Sequence, residues 1–224
     1  MARGRKLERA FLMKYVLAAV VVVAALGAGI FFASGLLLES AEPPSVDEAV
    51  EALDADRLAP LFDGEVAGLT IVPKESGEYA YDTHCSTPQW DEYGGVEAGY
   101  TTGTEIDIPP ISGFDIVGHQ VAWCDGRVAF NNISLESPTG DVSISITRVL
   151  ADPVLHKDVS ADRVVEITID GRPAVHIMPI LVDQVFALSN ERIYIVEDFG
   201  ITNISFQGRG EILDIARQIV RGTR

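Results

Sequence analysis

The chain has 224 residues, 47% of them hydrophobic and 22% charged, with 17 basic against 33 acidic side chains. That content supports one folded domain with a sizeable core and excludes a low-complexity chain. A formal net charge of −16 also excludes a nucleic-acid partner, because binding phosphate by counterion release needs clustered Lys and Arg.

The first fourteen residues run against that balance, with Arg3, Arg5, Lys6, Arg9 and Lys14 facing a single acid, Glu8. Tyr15 to Leu38 then passes 24 residues without a charge. At about 1.5 Å per residue a helix of that length spans about 36 Å, enough to cross a hydrocarbon core of ~30 Å. The basic flank keeps residues 1–14 in the cytoplasm and sends the C-terminal part outside. The expectation is a single-pass cell-membrane protein: tail 1–14, transmembrane helix 15–38, linker 39–44, and an extracytoplasmic domain over 45–224. The lipid bilayer is the partner of residues 15–38. The competing reading is a cleaved signal peptide, with Ala33-Ser34-Gly35 supplying small residues for a protease. Signal h-regions usually span only about 7–15 residues, and cleavage there would leave Leu36-Leu37-Leu38 at the new N-terminus, so an uncleaved anchor is favoured. Residues 39–224 keep 12 basic and 32 acidic side chains, a net of −20, which serves solubility.

Ser45, three residues before Glu48, marks a capping box. Val46, Ala49, Val50 and Leu53 follow at helical spacing, and a second turn is expected from a cap at Asp56 through Arg57–Phe62. The period then shifts towards two. Strands are predicted over 66–72, 127–135 (with an irregularity at Asn131-Asn132), 142–149, 164–169, 192–196 and 201–206. Asp125-Gly126 and Asp170-Gly171 read as hairpin turns, and short connections make these neighbours antiparallel. In the last segment Ile212, Ile215, Ala216 and Ile219 form one apolar helical stripe, with Gly222 placed to end it. The expected fold class is α+β: after the transmembrane helix, a curved antiparallel sheet packed against an N-terminal and a C-terminal helix.

Residues 73–95 resist assignment and hold Cys85. With Cys124 it makes an even pair in an oxidising compartment, which predicts a disulfide stapling the loop to the strand "VAWC". A zinc set of His84, Cys85, His119 and Cys124 is disfavoured, since positions 119 and 124 face opposite ways in a strand. Asp82, Asp91, Glu92 and Glu97 lack the ordered spacing of a calcium loop. No nucleophile elbow is present, and His84, His119, His156 and His176 have no local partner motif. The sequence therefore assigns no catalytic residue, no metal ligand and no cofactor. Asp198-Phe199-Gly200 matches the magnesium tripeptide of kinases, yet the glycine-rich loop and the H-R-D motif are missing, so it reads as a turn. Asn132-Ile133-Ser134 and Asn203-Ile204-Ser205 match the glycosylation sequon, a pattern common by chance. The best surface candidates are the loop aromatics Tyr79, Tyr81, Trp90 and Tyr93, which suit a glycan or protein partner. The competing reading places Tyr79 and Tyr81 on an edge strand and folds Trp90 onto the core.

From Val164 to Val220 the run "EITIDGRPAVHI", "IYIVED-G", "ISFQG" and "GEILDIARQI" resembles a bacterial extracytoplasmic C-terminal domain of unknown function. That domain occurs in membrane-anchored proteins, some similar to anti-sigma factors and others to lipoprotein carriers. Where it usually carries a Trp, this chain has Ile193-Tyr194-Ile195. The resemblance implies a curved antiparallel sheet on a helix and a binding or sensing role, and it transfers no catalytic residue. The expected function is a membrane-anchored extracytoplasmic binding or sensing domain. The alternatives are an accessory component of an anti-sigma-like envelope complex, for which fourteen cytoplasmic residues are too few to grip a sigma factor alone, and an extracytoplasmic hydrolase built on His119 or His176.

Overall fold

The computed structural model describes residues 44–76, 80–83, 85, 88–93, 106–182, 186–208 and 212–222. The tail 1–14, the uncharged run 15–38 and the linker to residue 43 lie outside the described residues. Among those described, no helix is long and apolar enough to cross a membrane.

Helix α1 (Val46–Leu58) is followed by β1 (Gly64–Val66), β2 (Leu69–Val72), β3 (Gln89–Tyr93), β4 (Asp115–Cys124), β5 (Arg127–Glu136), β6 (Val142–Val149) and β7 (Val154–His156). Then come β8 (Val164–Ile169), β9 (Arg172–Ile177), β10 (Leu181–Val182), β11 (Phe186–Ala187), β12 (Glu191–Glu197), β13 (Gly200–Gly208) and helix α2 (Ile212–Gly222). Eight strands form one antiparallel sheet in the order β3-β4-β5-β6-β13-β12-β9-β8, and β1-β2-β7 form a second, smaller sheet.

The chain is mostly β, with 49% strand, which corrects the expected α+β class. Two physical reasons account for the difference. Hairpin turns at Asp125-Gly126, Asp170-Gly171 and Asp198-Phe199 take two residues each, so the chain from 115 to 208 is spent largely in strands. The N-terminal helix, moreover, does not cover the large sheet. Its capping box forms, with the Ser45 amide donating to Glu48 at 2.6 Å and the Glu48 amide to Ser45 Oγ at 3.3 Å. Yet no described side chain of α1 is buried, and Val50 and Leu53 are 37% and 46% exposed. The helix runs unbroken to Leu58, past the second cap expected at Asp56.

Asp56 instead docks α1 onto the body. Its Oδ1 accepts from Ser160 Oγ at 2.7 Å and from Arg163 Nη1 at 2.8 Å. Burial pushes this carboxyl up, but the Ser160 and Arg163 bonds and the Arg163 charge outweigh it and hold the group below its usual range. A depressed carboxyl contributes stability above its unfolded pKa of about 3.9 that is lost as pH falls through the folded value. We expect α1 to loosen below about pH 4, read as faster amide exchange in α1, with Asp56→Asn already loose at pH 7. Protection that persists unchanged to pH 2 would contradict this.

Alternation sorts the large sheet into two apolar layers. The helix face carries Ile133, Leu135, Ile144, Ile146, Ile193, Ile195, Ile204 and Phe206, packed against Ile212, Ile215, Ala216, Ile219 and Val220 of α2. The stripe predicted for that helix is the one it buries. On the opposite face Val175, Ile177, Tyr194 and Ile201 pack under Leu69, Ile71 and Leu155 of the small sheet. The predicted single strand over 66–72 is in fact the β1–β2 hairpin, turned at Ala67 (φ 51°) and Gly68 (φ 78°). The irregularity in β5 falls two residues before Asn131, where Val128 and Phe130 pair with adjacent residues Trp123 and Ala122 and leave Ala129 as a bulge.

The segment 106–114 lies against the helix face and has no ladder of its own. Buried polar side chains supply partners for its backbone: Asn131 Nδ2 donates to Ile106 O at 3.0 Å, and Arg148 Nη1 to Asp107 O at 2.5 Å. Arg148, 2% exposed, also lies 3.4 Å from Glu197, 4% exposed, and its guanidinium sits 5.2 Å over the Phe199 ring. Arg172 and Thr202 complete the partners of Glu197, each at 3.1 Å. The kinase-like tripeptide is thus a hairpin turn with a structural role. Glu197 and Phe199 hold Arg148, and Gly200 (φ 145°) lets the backbone pass where a Cβ would lie 2.2 Å from Val149 O.

Candidate functional site

The face opposite α2 is covered by the small sheet only over its β9–β12–β13 half. On β4, β5, β6 and β13 it carries two polar rows fixed by register. Gly118, Ser134, Ser145 and Ser205 stand opposite one another and end at Arg192 of β12. One step along the strands, Gln120, Asn132, Thr147 and Asn203 do the same and end at Tyr194. The two Asn-Ile-Ser triplets create this pattern. Each places Ile in the helix-face core and sends Asn and Ser to the other side, while β6 contributes Ser145 and Thr147 between them. The sequon match is therefore a fold signal. A repeated triplet flanking an S-x-S-x-T strand was the clue available in the sequence.

These side chains are positioned by their neighbours. Asn132 Nδ2 lies 2.7 Å from Ser145 Oγ, 2.8 Å from Thr147 Oγ1 and 3.3 Å from Ile146 O. Asn190 Nδ2 donates to Ser205 Oγ at 3.1 Å. Asn203, 6% exposed, shares a hydrogen bond with the Tyr81 hydroxyl, while its own Oδ1 is buried with no hydrogen-bond partner. Such orphaned acceptors are rare in folded proteins, because desolvation without a bond costs about 1–3 kcal/mol. Exposure grades across the face: Gln120, Ser143 and Gln207 are open, Asn132, Ser134 and Ser145 half-buried, and Thr147, Asn203 and Ser205 buried.

Where the rows meet the small sheet, cations gather. The Lys157 amide donates to Val72 O at 2.9 Å and the Lys74 amide to Asp158 Oδ1 at 2.9 Å, so the parallel β2–β7 pair brings both lysines to one end. Burial first, then the charges of Arg192, Arg163 and Lys74, push Lys157 down to about 8 against the opposing pull of Asp158. Arg192 hydrogen-bonds the Tyr194 hydroxyl, and burial raises both Tyr194 and Tyr81 above the usual phenol range.

Of the aromatics singled out in the sequence, Tyr81 belongs to this place: it pairs with Leu155 in an isolated bridge and packs in the core under the small sheet. Tyr79 and the side chains of Trp90 and Tyr93 lie outside the described residues; Trp90 stands opposite Ala122 and Tyr93 opposite His119 in the β3–β4 ladder. Cys85 and Cys124 form a disulfide, with Cα atoms 5.7 Å apart. His84 is outside the described residues. His119 is buried with Nε2 at 2.8 Å from Asn131 Oδ1, and His176 Nε2 lies 2.7 Å from Glu191 Oε1. Their strands, β4 and β9, are five places apart in the sheet, about 24 Å at ~4.8 Å per strand, so the two cannot share one reaction centre. No protein-family model, curated protein or solved structure matches the chain.

Proposed function

We propose that this protein is a binding domain held at the outer face of a cell membrane, and that its polar sheet face takes a glycan. The observation that carries the reading is the in-register pair of rows, Ser134–Ser145–Ser205 and Asn132–Thr147–Asn203. Each row places a hydroxyl or amide about every 4.8 Å, within a ligand's reach at half-buried Asn132, Ser134 and Ser145 and buried at Thr147, Asn203 and Ser205, on side chains that lose little entropy when a ligand orders them. Hydroxyl-rich polymers match that chemistry. A protein partner would call for aromatic or arginine anchors in a desolvated centre, and the two rows between β4 and β13 have none. The disulfide supports the oxidising side of a membrane. The uncharged run 15–38 behind its basic flank supports the anchor, and the likeness of residues 164–220 to an extracytoplasmic family supports a binding role.

Ser134 is half-buried at the β5 end of the serine row, so Ser134→Leu should block that end of the row while leaving both cores intact. The expected result is a loss of glycan affinity of about tenfold or more, roughly 1.4 kcal/mol, with the thermal midpoint shifted by only a few degrees. The check is a glycan-array screen of the full chain in detergent, followed by titration of the hits. Unchanged affinity in the variant would remove this face from the reading.

A further inference from the structure

We infer that the glycan this face takes is an anionic one, whose acidic group is held by Arg192 together with Lys157 and Lys74. This rests on the preceding reading of the polar face and adds the charge of its ligand.

Residues 39–224 hold 12 cations against 32 acids, yet four of those cations converge at one end of the polar rows. Arg163 is committed to Asp56, Met178 O and Ser189. Arg192, Lys157 and Lys74 are different: among the described residues none of them is held at ion-pair distance by a carboxylate, and the nearby acid, Asp158, spends one oxygen on the Lys74 amide. The site is also built for a neutral group. Asn203 Oδ1, buried and unpartnered, lies one step along β13 from Ser205, which stands opposite Arg192. Tyr81 ties the two chemistries together, bonded to Asn203 and within the field of Arg192. A sugar acid carries both complements in one unit: a hydroxyl that donates to Asn203 Oδ1 and an acidic group that pairs with the cations. A neutral glycan would satisfy Asn203 and leave the partly desolvated Arg192 and Lys157 unpaired, which is the costlier arrangement.

The groups facing Lys157 are Arg192, Arg163 and Lys74, which depress its pKa, and Asp158, which raises it. An arriving anion adds a second raising charge. Binding near pH 8 should therefore take up protons, and affinity should fall as pH rises above about 8.

The test titrates the full chain in detergent with hexagalacturonate, with its carboxyl-reduced neutral counterpart, and with poly(glycerol phosphate). Support is tighter binding of the uronate than of the reduced sugar by about tenfold or more, with proton uptake seen as a buffer-dependent heat at pH 8. Binding of the phosphate polymer in place of the uronate supports the inference and identifies phosphate as the acidic group. Equal affinity for charged and reduced sugars overturns the inference and leaves the glycan face standing. Binding of none of the three overturns both. Arg192→Gln should abolish the preference for charge, and the exposed Lys74→Gln, which is free of packing consequences, should reduce it. Ser134→Leu should weaken charged and neutral sugars alike.

Discussion

Replacing Arg148 by alanine should cost about 3–5 kcal/mol of folding free energy. The guanidinium is 2% exposed and lies between Glu197, the Phe199 ring and the Asp107 carbonyl. Its removal leaves Glu197, 4% exposed, with Arg172 as the remaining charge partner, and takes the Arg148 hydrogen bond away from the Asp107 carbonyl. The alternating sheet around it offers no replacement, because the adjacent helix-face residues are apolar or already bonded. A double cycle separates the causes. Arg148→Ala combined with Glu197→Gln should recover part of the loss, since an uncompensated charge costs more than an absent ion pair. Urea midpoints of the four proteins measure this. A single-variant cost below about 1 kcal/mol would show that the buried pair does not carry the segment 106–114.

Removing the disulfide is the second large effect. Cys85 and Cys124 are separated by 39 residues, and the chain-entropy relation for a loop of that size gives about 4 kcal/mol, with typical measured values of ~2–4. The bond also sits at a structural weak point. Strand β3 is at the edge of the large sheet, and its first residue, Gln89, pairs with Trp123, next to Cys124. Without the bond, β3 has one neighbouring strand and a loose N-terminal lead. The double variant Cys85→Ser with Cys124→Ser should therefore lose stability globally and exchange β3 amides fastest. Denaturant titration with and without reductant should give the same difference as the double variant. A loss under 1 kcal/mol would mean that the lead into β3 is held by other contacts, the backbone bonds of His156 to Ala80 and Asp152 to Asp82.

The elements legible in the sequence share a feature: the physics that forms them acts within a few residues. The Ser45–Glu48 box spans three residues, Asp125-Gly126 and Asp170-Gly171 turn in two, and the α2 stripe repeats within three turns. The cysteine pair was legible for another reason, since two thiols in one oxidising compartment have one intramolecular choice. Helix α1 shows the limit of the same logic. Its apolar spacing was real, yet what it packs against is set by Asp56 reaching Ser160 and Arg163, more than a hundred residues away. The kinase-like tripeptide was correctly read as a turn, but nothing local could show that Glu197 and Phe199 enclose an arginine from β6.

The sequence by itself determined the turns at Asp125-Gly126, Asp170-Gly171 and Asp198-Phe199 but not the one at Ala67-Gly68, how the last helix presents its apolar stripe and which cysteines pair. Only the tertiary structure decided that the domain is mostly β, that β2 and β7 run parallel, and that two Asn-Ile-Ser triplets 71 residues apart lie in one register on either side of β6. Alternation assigns a residue to one of two faces and says nothing about its neighbours across strands. Those are chosen by the packing of the whole core, and with them the polar rows and the cations that close them.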